Sequence, residues 1–219
     1  MSDISRIIAS LEACFGIPEE IKPKDPLSEL IFTILSQNTT DKNRDRAYEN
    51  LTRRFGRWED VMYADASEIE HEIRVGGLGP QKSRRIKAIL EEIYAKRRSL
   101  SLDYLADLGV DDARRELLSF VGVGQKTAAI VLLFSLGRPA FPVDTHILRV
   151  TRRLGLIPQK ADASKAHQIL GDLVPPEKYY PAHINLIRLG RTLCRPKNPR
   201  CADCPLMASC PFGREFVNR

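Results

Sequence analysis

Apolar residues recur three and four positions apart along most of the chain, the spacing of a helix with one buried face. Leu27, Leu30, Ile31, Ile34 and Leu35 follow it, as do Ile86, Ile89, Leu90, Ile93 and Tyr94. No stretch alternates apolar and polar residues long enough to predict a strand, so the expectation is an all-α fold. A first helix carries Ile4, Ile7, Ile8 and Leu11 on one face, with Ser2 or Asp3 as its cap and Cys14 as a small core residue. Lys22 to Pro26 reads as a boundary. The helix through Leu35 runs into the polar Ser36-Gln37-Asn38-Thr39-Thr40-Asp41, and Asp41 is the expected cap of a helix bearing Ala47, Tyr48, Leu51 and Phe55. A short helix with Ile69 and Ile73 closes at Gly76 and Gly77. The next opens at Leu78-Gly79-Pro80, its far face basic through Lys82, Arg84, Arg85 and Lys87. Ala163 to Val174 and Tyr179 to Leu193 are later helices, the second expected to be the last.

One segment departs from this pattern. In Leu117 to Ala128 an apolar helical turn meets Gly122-Val123-Gly124, and a second apolar helix follows directly. Two glycines one residue apart permit positive φ and let the backbone approach something outside the protein. The amides behind them are open donors at a helix N-terminus, suited to a phosphate. The Walker spacing of a nucleotide P-loop is missing. Lys126 falls in the first turn of that second helix, where two roles fit it: a solvated lysine on phosphate, or a nucleophile. The helix dipole and the apolar run behind it both favour the free amine that nucleophilic attack requires. Asp144, in Pro142-Val143-Asp144-Thr145-His146, reads as the cap of the helix beginning at Thr145 and also as a carboxylate able to assist such an amine.

Cys194, Cys201, Cys204 and Cys210 fall within 17 residues as Cys-x6-Cys-x2-Cys-x5-Cys. Four thiols this close point to a metal, and both tetrahedral zinc and an iron–sulfur cluster match the ligand count. Arg188, Arg191, Arg195, Lys197 and Arg200 surround them in sequence. His71, His167 and His183 show no metal-like spacing, and Trp58 reads as a packing residue.

Composition narrows the field modestly. The chain has 219 residues and a net charge of +6. It is long enough for one or two cored domains, and its charge allows a polyanionic partner. No apolar run reaches membrane-spanning length and no signal peptide is apparent, so the expected location is intracellular with no membrane partner.

The segment Leu118-x-x-Val121-Gly122-Val123-Gly124-x-Lys126-Thr127-Ala128, followed by Val143-Asp144-Thr145-His146, resembles the helix-hairpin-helix, Gly/Pro-rich loop and catalytic Asp of the endonuclease III family of DNA glycosylases. The resemblance spans nearly the whole chain. It implies a two-domain helical fold: a bundle over residues 24–138 ending in the hairpin, and a second domain from 1–23 and 139–219. DNA would cross the cleft between them with the damaged nucleotide flipped inward. By the same resemblance Lys126 is the nucleophile and Asp144 its partner, while Gly122, Val123, Gly124, Gln125 and Thr127 meet DNA at the hairpin. Many relatives carry a basic residue at the Gln125 position. Asn38, with Gln37 beside it, stands where the family has a gap-filling Gln, and Leu78 matches the residue that wedges into the helix. His146 would contact the displaced strand or the abasic site. The cysteine spacing equals that of the family's [4Fe–4S] loop, which favours the cluster over zinc.

The implied activity is a bifunctional DNA glycosylase/AP lyase, acting as a monomer on double-stranded DNA with oxidised pyrimidines or abasic sites. A monofunctional glycosylase for mismatched thymine, uracil or alkylated bases is the nearest alternative, but such enzymes activate water and many lack the hairpin lysine. A non-catalytic DNA-binding module explains the hairpin and needs neither Lys126 nor Asp144. A redox or metal-storage protein explains the cysteines alone.

Overall fold

A computed structural model describes residues 4–19 and 23–217; the expected cap at Ser2 or Asp3 lies outside them. Among the described residues the regular structure is helical, without a strand. In chain order the α-helices are α1 (Ile4–Phe15), α2 (Pro26–Leu35), α3 (Asp41–Phe55), α4 (Trp58–Tyr63), α5 (Ala66–Ile73), α6 (Gly79–Arg97), α7 (Val110–Ser119), α8 (Gln125–Phe134), α9 (Thr145–Arg153), α10 (Ala163–Leu173), α11 (Tyr179–Thr192) and α12 (Pro211–Val217). The chain divides into two compact units, Pro23–Gly137 and Met1–Lys22 with Arg138–Arg219.

The unit Pro23–Gly137 is built on α2 and α8. Asp25 caps α2 by accepting the Ser28 amide at 2.7 Å, and Pro26 supplies a first-turn residue with preset φ. Leu27, Leu30, Ile31, Ile34 and Leu35 are all fully buried. Beyond its polar first turn α8 is apolar nearly all round, with Ala128, Ala129, Val131 and Leu132 buried. A helix of that composition belongs inside its unit, and α2 packs directly on it. Around this pair, α5 packs between α3 and α6, α4 lies on α6, and α7 returns along α8.

In the other unit α11 packs against both α1 and α9. Asn185 on α11 is fully buried and donates to the Gly16 carbonyl at 2.9 Å, while Arg188 donates to the Phe15 carbonyl at 3.1 Å. Gly190 lets α9 come close, since a β-carbon there would stand 2.8 Å from His146 Cβ.

Several sequence expectations need correction. Cys14 is exposed, because Ile7, Ile8 and Leu11 take the buried face of α1. Thr40, not Asp41, caps α3: its hydroxyl accepts the Asn43 amide at 3.3 Å. The helix after Tyr179 is not the last, because α12 follows the cysteines with Phe212 and Phe216 stacked at 5.7 Å. The basic face of α6 is only partly a solvated face. Lys82 is 1% exposed, and Lys87 Nζ donates to the Met62 and Ala64 carbonyls at 2.6 and 2.9 Å. No helix among the described residues is long and apolar enough to cross a membrane.

If the α2–α8 contact carries this unit, Leu30→Ala lowers the unfolding free energy by about 2–5 kcal/mol in a urea titration. The same change at Tyr63, 73% exposed, moves it by about 0.5 kcal/mol or less. Comparable losses at the two positions would contradict this assignment of the core.

Candidate functional site

The hairpin between α7 and α8 is closed by the Val123 amide, which donates to the Phe120 carbonyl at 3.1 Å. Gly122 alone takes positive φ, at 73°. Gly124 is extended, at φ −102° and ψ 177°, and caps α8 without a side chain. A β-carbon on Gly124 would meet nothing within 4 Å, so this side of the hairpin is open to close approach. The first hydrogen bond of α8 runs from Ala128 to the Gly124 carbonyl at 3.0 Å. The amides of Gln125, Lys126 and Thr127 therefore remain available, as an anion-binding helix start requires. Thr127 itself is buried, at 4% exposed.

Val123 is 7% exposed and its amide is spent on the turn, whereas Val121 stands 53% exposed. Lys126 is half-buried, and its amine makes no hydrogen bond or ion pair among the described residues.

Two more turns reach the same face of this unit. Arg85, on α6, lies so close under Gly122 that a β-carbon there would overlap its guanidinium. The same side chain donates to Gln37 Oε1 at 2.6 Å, joining the hairpin to the Ser36–Asn38 turn. Asn38 is exposed at φ 51°, and its carbonyl lies 3.9 Å from where a Gly77 β-carbon would be. Leu78, next in sequence, caps α6 at φ 52° with 46% exposure. Asn tolerates the left-handed region, but a leucine there costs about 1–2 kcal/mol and gains no burial. A strained, outward-facing apolar residue is a mark of a functional turn. Of the two candidate residues in the 36–38 turn, Gln37 is held by Arg85 and Asn38 projects.

In the other unit Asp144 caps α9, Oδ1 accepting the Ile147 amide at 2.7 Å. Two histidines left without a role by sequence fix the segment leading to it. His167 Nδ1 lies 2.9 Å from the Phe141 carbonyl, and the buried His183 Nδ1 lies 2.9 Å from that of Pro142. His146 Nδ1 lies 3.2 Å from Arg149 Nη2, which also donates to the Gly190 carbonyl at 2.8 Å.

Cys194, Cys201, Cys204 and Cys210 are free thiols lining one pocket with Leu193, Met207 and Phe212. Among the described residues no three His, Cys, Asp or Glu side chains converge closely enough to hold a single metal ion. Burial first, and then the neighbouring thiols, push Cys204 up to about 11 against a hydrogen bond from the Leu206 backbone. Burial likewise raises Cys201 and Cys210. Four thiolates at this spot need a cationic centre. Sequence reading missed the arginines that brace the loop. Arg149 Nε donates to the Cys194 carbonyl at 3.0 Å, and Arg153 Nη1 donates to the Arg195 carbonyl at 2.8 Å and lies 3.4 Å from Cys194 Sγ. They fall one turn apart on α9, the only signal that could have paired them.

Residues 31–176 match the HhH-GPD superfamily base excision DNA repair protein model, a span holding the hairpin, Lys126 and Asp144. The chain belongs to the HhH-GPD superfamily of base excision DNA repair proteins. Within that superfamily it is similar to endonuclease III of Thermotoga maritima (strain MSB8), at 34% identity over 90% of this chain and 88% of that one. Its fold is similar to endonuclease III in a non-covalent DNA complex, with TM-score 0.84, 28% identity, and coverage of 99% of this chain and 97% of that one. It is equally similar to endonuclease III in a trapped covalent intermediate with DNA, with TM-score 0.82, 28% identity, and coverage of 98% and 97%. The four cysteines lie outside the matched HhH-GPD segment.

The two hairpin glycines should respond differently to alanine. Gly122→Ala strains the backbone and pushes aside the end of the Arg85 side chain, so it lowers the unfolding free energy by about 1–2 kcal/mol. Gly124→Ala, which loses only a favourable cap, costs less than about 1 kcal/mol. Equal losses in denaturant titration would remove the steric reason given for Gly122.

Proposed function

We propose that this chain is a bifunctional DNA glycosylase and AP lyase of base excision repair, acting on oxidised pyrimidines in duplex DNA. What carries the reading is Lys126: a half-buried amine without a partner, in the first turn of α8 directly behind an open hairpin. The likeness to an endonuclease III trapped as a covalent intermediate on DNA supports it.

The free amides at the start of α8 hold a backbone phosphate, which positions the duplex without reading its sequence. Leu78 and Asn38 enter the stack as the damaged nucleotide leaves it, offsetting part of the lost stacking. The Lys126 amine attacks the sugar C1′, and the N-glycosidic electron pair departs with the base, which takes up a proton. Asp144 accepts the proton shed by the attacking amine and opposes the positive charge developing on the sugar. Its Oδ1 is engaged by the Ile147 amide, which leaves Oδ2 for this work. Opening of the sugar ring gives the protonated Schiff base. Loss of a C2′ proton then expels the 3′ phosphate by β-elimination, and water releases the lysine.

The four cysteines fit a [4Fe–4S] cluster better than a single ion, because their sulfurs line a shared pocket without converging. Cys194, Cys201, Cys204 and Cys210 would hold such a cluster, whose iron–thiolate bonds would pin the Cys194–Cys210 loop. Arg149 and Arg153 hold that loop to α9, whose first turn Asp144 caps.

Lys126→Ala should lose strand cleavage on thymine glycol and abasic duplexes by at least about a thousandfold, with binding to undamaged duplex within about threefold of wild type. Asp144→Asn should lose cleavage similarly. Measurement is by gel assay of nicking beside fluorescence anisotropy. Base release without nicking by the wild type would place the protein among the monofunctional glycosylases. Normal nicking by Lys126→Ala would refute the nucleophile.

A further inference from the structure

Lys82 is among the largest fully buried side chains of the described residues, and the reaction described above does not use it. Its ammonium donates to two backbone carbonyls, those of Leu35 and Gly76, each at 2.8 Å. Leu35 ends α2 immediately before Ser36–Asn38, and Gly76 ends the turn immediately before Gly77–Leu78. Each acceptor is thus two or three residues ahead of a non-glycine residue held in the left-handed region with its side chain outward, Asn38 in one turn and Leu78 in the other. Gly76 accommodates the arrangement, because a β-carbon there would press on Ala47 Cβ at 3.2 Å and stand 3.8 Å from Lys82 Nζ. Burial of an amine is costly unless its donors are used. Here burial, with Arg85 one turn away, pushes Lys82 down to about 8, while its two carbonyl acceptors act in the opposite sense.

We propose that Lys82 is a positioning residue for base extrusion: its ammonium ties the 35–38 and 76–78 turns together and fixes the separation at which Asn38 and Leu78 enter the duplex. The inference rests on the reading of those two residues as the inserting pair. A single buried cation suits the task. Its bonds reach both turns at once, and neither turn has a regular hydrogen-bond ladder to the other. Leu78 is held from within its own segment only by the start of α6, where its carbonyl accepts the Gln81 and Lys82 amides at 3.1 and 2.9 Å. The Lys82 backbone therefore anchors Leu78 while its side chain anchors the residues on either side of the gap. An apolar replacement leaves both carbonyls buried without a donor and frees the turns to separate.

The test is a mutant cycle read by single-turnover excision of thymine glycol from a well-stacked, G·C-flanked duplex. The four proteins are wild type, Lys82→Met, the pair Asn38→Ala/Leu78→Ala, and the triple variant, each confirmed as folded by circular dichroism. Lys82→Gln, which keeps a shorter donor, replaces Lys82→Met if the latter yields no folded protein. Lys82→Met should slow excision by roughly tenfold to a hundredfold, the scale of a small misplacement at a reacting site. The triple variant should be no slower than the pair, because Lys82 then has nothing left to position. A merely structural lysine would instead slow the enzyme by the same factor in both backgrounds. That additive result, or an unchanged rate in Lys82→Met, overturns the proposal and leaves the inserting pair intact. An unchanged rate in Asn38→Ala/Leu78→Ala overturns the inserting-pair reading itself, and the role assigned to Lys82 with it.

Discussion

The apolar contact of α2 with α8 is what the candidate interface depends on. Leu30, Ile31 and Ile34 on one helix and Ala128, Val131 and Leu132 on the other are fully buried, and the polar residues beyond them include the candidate functional ones. The C-terminus of α2 delivers Ser36–Asn38, and the N-terminus of α8 delivers Lys126 behind the hairpin. Fully buried leucine or isoleucine contributes about 1.5–3 kcal/mol, enough in sum to hold the two turns in place. Rigidity of this kind matters to a glycosylase, whose turns must meet a deformed duplex at fixed spacing.

α6 relays that rigidity to the surface. Its inner face packs through Ile86, Ile89, Leu90 and Ile93, while Lys82 and Arg85, one turn apart, reach the 35–38 turn, the 76–78 turn and the hairpin. In the other unit α9 has the comparable place. Asp144 caps its start, and Arg149 and Arg153 on its later turns hold the cysteine loop. A histidine on each of α10 and α11 fixes the carbonyls that lead into Asp144. Candidate chemical groups at both sites are thus set by helix ends, which are stiffer supports than free loops.

The features legible in the sequence were those with local signatures. The all-α fold, the buried faces of α2 and α6 and the capping of α9 by Asp144 all follow from spacing or cap chemistry within a few residues, and the superfamily from the resemblance of the hairpin and Asp144 segments to a known family. What escaped was decided at long range. Lys82 reads as one more cation on a basic face because its Leu35 acceptor lies 47 positions away. Val123 and Val121 are indistinguishable in a Gly-Val-Gly segment until the turn chooses which one faces inward. Cys14 looked like core because α1 has apolar positions to spare. Arg149 and Arg153 gave no warning, since a cysteine loop more than forty residues downstream supplies their partners.

Covalent chemistry at Lys126 is the central claim, and locating the covalent bond tests it most directly. Wild-type protein reduced with borohydride on an abasic duplex, digested and mapped by mass spectrometry, should carry the sugar remnant on the peptide containing Lys126 and on no other. A remnant on another lysine or on the N-terminal amine, with the Lys126 peptide unmodified, would contradict the account.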